Sequence, residues 1–421
     1  MAKETYWHTL PIRICLLVSL LFCIYLCARR AAGAWRFRQG SPDAIQSAMR
    51  WDPSDAEYYD TLGTVMHLYA DGGNSEEIIH LYMSATRLSP HNAQFTADLA
   101  DGYDWAGRSD DALDAFQQAL RLFPNSPNIN WRLANFYVRA DRIPDALRTL
   151  RMVLLEDGTA SRKVFALATK AVPDRKVILD MLPPQAPILF DYLNFLIERA
   201  DIAGAEEVWT RLLQQNLPFD LREALPYFDA LIRYKEVSRL PESWAVLAKR
   251  FPAQIQGLAP GMNLITNGGF EFDILNGGLD WRVIPTEGVV VDPSSSGAFE
   301  GRRALRIVFD GSRNIDFGHV FQYLPVQPNT RYRFSVQVRA EGITTDSGPR
   351  LQLCDAYNVG QVFASTENLL GTSNWSEEDA EFTTRSDTRL LLVRVVRPAS
   401  ARLDNRIAGT EWIDGVSLQA E

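Results

Sequence analysis

The chain has almost no cysteine to build with. Cys15, Cys23 and Cys27 lie in or beside one N-terminal apolar run, and Cys354 stands alone in the rest. A lone thiol closes no internal disulfide, so the folded parts must be held by packing, and either redox compartment is open to it. Histidine is as sparse: His8, His67, His80, His91 and His319 show no metal-ligand spacing. Basic residues are not in excess either. There are 43 Lys and Arg against 52 Asp and Glu, a formal net charge of -9, which argues against a nucleic-acid partner. P-loop, Rossmann, metalloprotease and nucleophile-elbow motifs are missing. Glu377-Glu378-Asp379 is a carboxylate cluster that reads as a solvated turn, whereas a glycosidase needs two carboxylates flanking a cleft. These absences point away from an enzyme.

What is present is ordinary globular composition, 46% hydrophobic and 23% charged, spread over 421 residues. That is too long for one small core, so two or three folding units are expected.

From Ile14 to Ala28 the only clearly polar residue is Ser19. Fifteen residues make a helix of roughly 22 Å, short of the ~30 Å hydrocarbon core; starting at Leu10, with Arg13 snorkelling, gives ~28 Å. A cleaved signal peptide could use Ala32-Gly33-Ala34, but Arg29 and Arg30 intervene where such signals rarely carry charge. A lipoprotein signal fits less well, because bulky Phe22 and Leu26 precede Cys23 and Cys27. The reading is a single-pass, uncleaved anchor over 14–28, or 10–28, after a tail at 1–13. Arg29, Arg30, Arg36 and Arg38 follow the span, and a plain positive-inside count would keep the bulk of the chain cytoplasmic.

The centre of the chain repeats. Leu99-Ala100, Tyr103, Gly107, Ala112, Phe116, Ala119 and Pro124 are followed 34 residues later by Leu133-Ala134, Tyr137, Ala146, Leu150 and Val153. Small residues let paired helices approach, the aromatic and aliphatic positions fill their seam, and Pro124 ends a helix. An earlier copy holds Leu62-Gly63, Met66, Tyr82, Ala85 and Pro90, with a turn lengthened by Asp71-Gly72-Gly73-Asn74. A lone helix from Ala44 to Trp51 should cap the array, and divergent helical pairs should continue to about residue 252. These copies resemble the tetratricopeptide repeat. The resemblance implies a solenoid whose groove holds an extended peptide from a protein partner. The corresponding positions are Asp101, Asp104 and Trp105, then Trp131, Asn135 and Arg139, the last three sharing one helix face.

After a Gly/Pro linker at 253–261 the pattern changes to alternation. Arg331 to Arg339 alternates polar and apolar residues strictly, the mark of a strand with one buried and one wet face. Similar runs at 304–309, 319–326, 351–354, 390–396 and 411–418 predict a two-sheet sandwich over 262–421. The opening Asn263 to Glu271, the segment Pro328 to Gly342 and the closing Trp412 to Leu418 resemble the galactose-binding-like jelly roll of bacterial carbohydrate-binding modules. The resemblance implies polysaccharide binding and a structural calcium at Glu271 and Asp414, although Gly415 stands where the family often has a second Asp. For a glycan, the strands' outward face is expected to offer Gln322, Arg333, Gln337, Gln352 and Arg394, with Tyr357 and Trp281 nearby. Trp375 is expected in the core.

The expected architecture is therefore a transmembrane helix, an all-α tetratricopeptide-like solenoid over 41–252 and an all-β jelly-roll sandwich. The expected function is a non-enzymatic adaptor anchored in a bacterial inner membrane, its bulk periplasmic because the carbohydrate-module resemblance is weighed above the arginines after the span. It would join a protein partner to polysaccharide in exopolysaccharide export or assembly. A pure protein scaffold, or an accessory of a carbohydrate-active enzyme, are the alternatives.

Overall fold

The N-terminal apolar run opens a single long helix, α1 (Thr5–Phe37). Its stretch Ile12–Phe37 is long and apolar enough to cross a membrane, and side chains 12–28 are all exposed. The helix does not stop at Ala28. Its last turns pack against α2 (Pro42–Trp51) and α3 (Ala56–Tyr69), with the Phe37 and Tyr58 rings 4.8 Å apart and Arg29 Nε donating to the Trp51 carbonyl at 2.9 Å. The helix expected to cap the array alone is thus partnered by the end of α1. Gly33 is buried at this contact, where a Cβ would lie in van der Waals contact with Asp52 and Tyr58 at 3.4 Å.

The computed structural model describes residues 5–69, 74–256 and 263–421, with side chains from residue 12. Asp71, Gly72 and Gly73 of the lengthened turn, positions 257–261 of the linker and the first four residues lie outside the described residues.

Helix pairs follow at the spacing of the repeats: α4 (Ser75–Leu88), α5 (Ala93–Trp105), α6 (Ser109–Leu122), α7 (Pro127–Arg139) and α8 (Ile143–Glu156). Asn92 and Ser126 start α5 and α7 by accepting orphan first-turn amides, and Pro127 stands in the first turn, where no N–H is needed. The seam residues are where the repeat places them, with Phe116 and Leu150 fully buried. Tyr82 shows why glycine is required: a Cβ on Gly63 would lie 2.8 Å from its ring and one on Gly102 3.0 Å. The helices continue as α9 (Ser161–Ala171), α10 (Arg175–Met181), α11 (Ala186–Glu198), α12 (Ile202–Gln214), α13 (Leu221–Arg233) and α14 (Leu240–Arg250).

The chain divides into two units, Met1–Ile188 and Leu189–Glu421, the division falling within α11. The second unit combines most of α11 and helices α12 to α14 with two antiparallel five-stranded sheets. Its strands are β1 (Arg282–Val283), β2 (Val289–Ser294), β3 (Ala304–Asp310), β4 (Phe317–Pro325), β5 (Arg331–Ile343), β6 (Arg350–Asp355), β7 (Asn358–Ser365), β8 (Gly371–Thr383), β9 (Leu390–Arg397) and β10 (Ala408–Ala420). One sheet runs β1-β4-β9-β6-β7, the other β2-β3-β10-β5-β8. Inward side chains of both, among them Phe334, Val336 and Val338 from β5 and Leu351, Val393 and Val395 from the facing sheet, form one core.

Four strands, β1, β2, β7 and β8, escape the alternation reading, and all lie at sheet edges. Glu377-Glu378-Asp379 is therefore in strand β8, opposite Gln337, Val336 and Ser335, rather than in a turn. Trp375, expected in the core, is half-buried beside Phe299, with ring centroids 5.7 Å apart.

Helices and sandwich are joined within this unit by the loop before β1. Arg282 Nη2 pairs with Asp229 at 2.5 Å and donates to the Gly278 carbonyl, and Asp229 accepts the Gly278 amide at 2.9 Å. A Cβ on Gly278 would meet the Trp244 ring at 2.5 Å, so that glycine, at φ +60°, lets α14 reach the loop.

Candidate binding sites

The six groove residues read from the repeat do converge. Asp101, Asp104 and Trp105 of α5 and Trp131, Asn135 and Arg139 of α7 line one cleft of about 610 Å³, together with His67 of α3 and Arg132 of α7. The His67 and Trp105 rings sit 5.2 Å apart, and Lys163 Nζ lies 4.9 Å from the Trp131 ring centroid. The floor is ionic. Arg132 pairs with Asp98 at 2.8 Å and Asp101 at 2.6 Å, its side chain only 14% exposed, while exposed Arg139 pairs with Asp104.

Next to this pair stands Asp60 of α3, whose carboxyl is raised to about 7, first by burial and then by the charge of Asp98. Burial also raises Asp101, against the pull of Arg132. Sequence reasoning missed His67, Arg132, Asp98 and Asp60. Asp98 and Arg132 are 34 residues apart, one repeat, and opposite charges at the same place in successive repeats would have been the signal. Chemically the cleft offers two indoles, an imidazole and preorganised ion pairs, a surface suited to an extended polypeptide.

The expected glycan residues do not form one face. Gln322 is fully buried; its amide group exchanges hydrogen bonds with the Thr266 amide and carbonyl at 3.2 and 2.8 Å. The register of β4 against β9 shifts between Phe317 and Val320, so Val320, Gln322 and Leu324 face inward while Phe321 and Tyr323 stand on the outer face. Trp281 is fully buried against Phe270 and donates Nε1 to the Asn267 carbonyl at 3.2 Å. Arg333 and Gln337 lie on β5 of the other sheet, Arg333 3.5 Å from Asp379. Tyr357 is 40% exposed, but its hydroxyl donates to the Ile232 carbonyl of α13 at 2.7 Å and Lys235 lies over its ring, which makes it a docking residue.

Only Gln352 and Arg394 come together. They are opposed on β6 and β9, Arg394 donates to Gln352 Oε1 at 2.6 Å, and both line an outer cleft of about 540 Å³. Phe321 is opposed to Arg394 on the other side, giving the row an aromatic member.

Glu271 and Asp414 satisfy backbone donors. Asp414, fully buried, accepts the Phe299 and Glu300 amides at 2.9 and 3.1 Å on one oxygen; Glu271 accepts those of Arg302 and Arg303 at 2.5 and 2.9 Å. Those amide bonds lower the Glu271 carboxyl, whereas burial raises that of Asp414. The pair fits calcium in part. Asp414 Oδ1, which accepts only the Gly415 amide, and Glu271 Oε2, 3.6 Å from Arg302 Nε, have capacity left. Backbone carbonyls would have to supply most of the six to eight oxygens. Among the described residues no three or more His, Cys, Asp or Glu side chains group as metal ligands.

Comparison with known proteins agrees with the repeat. No curated protein matches the chain in sequence. A tetratricopeptide repeat protein from Parabacteroides merdae is similar in structure at 13% identity and a TM-score of 0.31, over 53% of this chain and 93% of that one. A CBM4 carbohydrate-binding module is similar at 14% identity and 0.29, over 37% and 99%. A CBM61 module solved with β-1,4-galactotriose is similar at 21% and 0.26, over 38% and 99%. The two-sheet fold itself rests on this chain's own strand pairing. Residues 106–171, from just after α5 through α9, match the family model of the tetratricopeptide repeat.

Proposed function

We propose that the chain is a non-enzymatic, membrane-tethered adaptor whose helical array captures an extended segment of a protein partner and whose β-sandwich binds polysaccharide. The observation that carries this reading is the α3–α5–α7 cleft, where Trp105, Trp131 and His67 stand around the largely buried Arg132 and its carboxylate partners. Aromatic anchors over a rigid, prepaid polar floor are what peptide capture needs. The tether is uncleaved in this reading, because cutting at Ala34 would remove Gly33 and the α1 turns that cover α2 and α3. An envelope setting, with the anchor in a bacterial inner membrane, the folded parts periplasmic and a role in exopolysaccharide export or assembly, completes the proposal.

A pure protein scaffold with a structural β-domain is favoured by one observation, the hydrogen bonds of Arg282 and Tyr357 to α13. Selection from a random peptide library on the full chain in nanodiscs tests the array. Enriched peptides should lose about tenfold or more in affinity to Trp131→Ala. Equal binding to the variant, or no enrichment, contradicts the reading.

A further inference from the structure

The outer cleft of the first sheet carries positive charge that the protein leaves unneutralised. Among the described residues the side chain of Arg350 on β6 has no hydrogen-bond or ion-pair partner. Among the described residues the side chain of Arg394 on β9 meets only the neutral Gln352 amide oxygen, by Nε at 3.2 Å and Nη2 at 2.6 Å, so donors remain on its guanidinium. The two arginines are diagonal neighbours on one face: Arg394 is opposed to Gln352, and Arg350 to Val396. Diagonal positions in an antiparallel pair lie ~7–8 Å apart, within reach of one ligand for side chains this long. His319 and Ser365 line the same cleft, and Asp316 is its one carboxylate. A chain of formal charge -9 has thus gathered two half-buried guanidinium groups, with one opposing charge, in a cleft of about 540 Å³.

Neither guanidinium has an anionic partner among the described residues, and the planar fork of each matches a carboxylate. Phe321 of β4, half-buried and opposed to Arg394, adds an apolar ring next to that arginine on the same sheet, the complement of the C–H face of a pyranose. We propose that this cleft binds an acidic saccharide, a polymer whose sugar rings carry carboxylates. The inference rests on the reading of the sandwich as the polysaccharide-binding part and adds the charge of the ligand.

The test is calorimetric titration of the full chain in detergent micelles with three probes: polygalacturonate, its fully methyl-esterified neutral form and polyglutamate. Polygalacturonate should bind about tenfold or more tightly than either of the others and weaken as salt rises. Arg350→Gln and Arg394→Gln should each lower its affinity about tenfold with the melting temperature unchanged, Arg394→Lys should retain part of it, and Arg331→Gln on the other sheet should have no effect. Equal binding of the methyl ester would overturn the acidic preference and leave the polysaccharide reading standing. Equal binding of polyglutamate would reduce the cleft to a charge patch. Binding of none of the three would remove both proposals, and binding that survives both arginine substitutions would place the ligand elsewhere.

Discussion

Arg132 Nη2 lies 2.8 Å from Asp98, the residue that holds the same place one repeat earlier, and 2.6 Å from Asp101. One guanidinium thereby ties α7 to α5 beneath the cleft and holds two carboxylates where a peptide would lie.

Breaking this pair should be costly. Arg132→Ala strands buried carboxylates, and loss of one partner of a buried pair costs ~3–5 kcal/mol. Arg139, 55% exposed in its pair with Asp104, should lose no more than ~1 kcal/mol on replacement by Ala. Urea unfolding of the two variants checks the contrast, and equal losses would mean the floor is not buried as described.

Asp60 gives the array a pH dependence of defined sign. Its folded carboxyl titrates at about 7, above the ordinary aspartate range, so the folded state holds the proton more tightly than the unfolded one. This contribution is fully present below about pH 4 and is lost as pH rises through 7. Melting temperatures between pH 5 and 8 should fall for the wild type and flatten for Asp60→Asn. A wild type that gains stability over that range through this residue would reverse the assignment.

Glu411 makes a second case in the sandwich. It is fully buried on β10 between Ile307 and Ala340, neither carboxylate oxygen has a hydrogen-bond partner among the described residues, and burial raises it to about 8. Glu411→Leu should raise stability by about 1–3 kcal/mol at pH 7, the cost of a buried unpartnered polar group. It should also remove a loss of stability as pH climbs from about 4 through 8. A variant less stable than wild type would show that the carboxyl is satisfied.

For Glu271 and Asp414, calcium is expected to raise the melting temperature by binding the folded state, chelator to lower it, and Asp414→Asn to remove the response. A melting curve indifferent to both would leave the two carboxylates with the 299–303 amides alone.

The sequence was most legible where a period was strict. The repeat of 34 residues placed Phe116, Leu150 and the six groove positions, because identical helix pairs must bury identical seams. The alternation of β5 likewise held along its length, Tyr332, Phe334, Val336 and Val338 all facing the core. Legibility failed where a local irregularity changed the phase. The register shift in β4 turned Gln322 inward and Phe321 outward, and no residue type announces a bulge of that kind. Edge strands such as β8 bury only one flank, so their composition stays polar and hides the strand. The docking of α13 and α14 on the loop before β1 was invisible for a third reason: Asp229 and Arg282 are 53 residues apart and follow no period.

Hydrogen–deuterium exchange on the full chain in nanodiscs, with and without a library-selected peptide, tests the central claim most directly. Added protection should fall on α3, α5 and α7, centred on Trp105, Trp131 and Asn135, and leave α4, α6 and α8 unchanged. Protection on α4, α6 and α8, or none in the array, would contradict capture in this cleft.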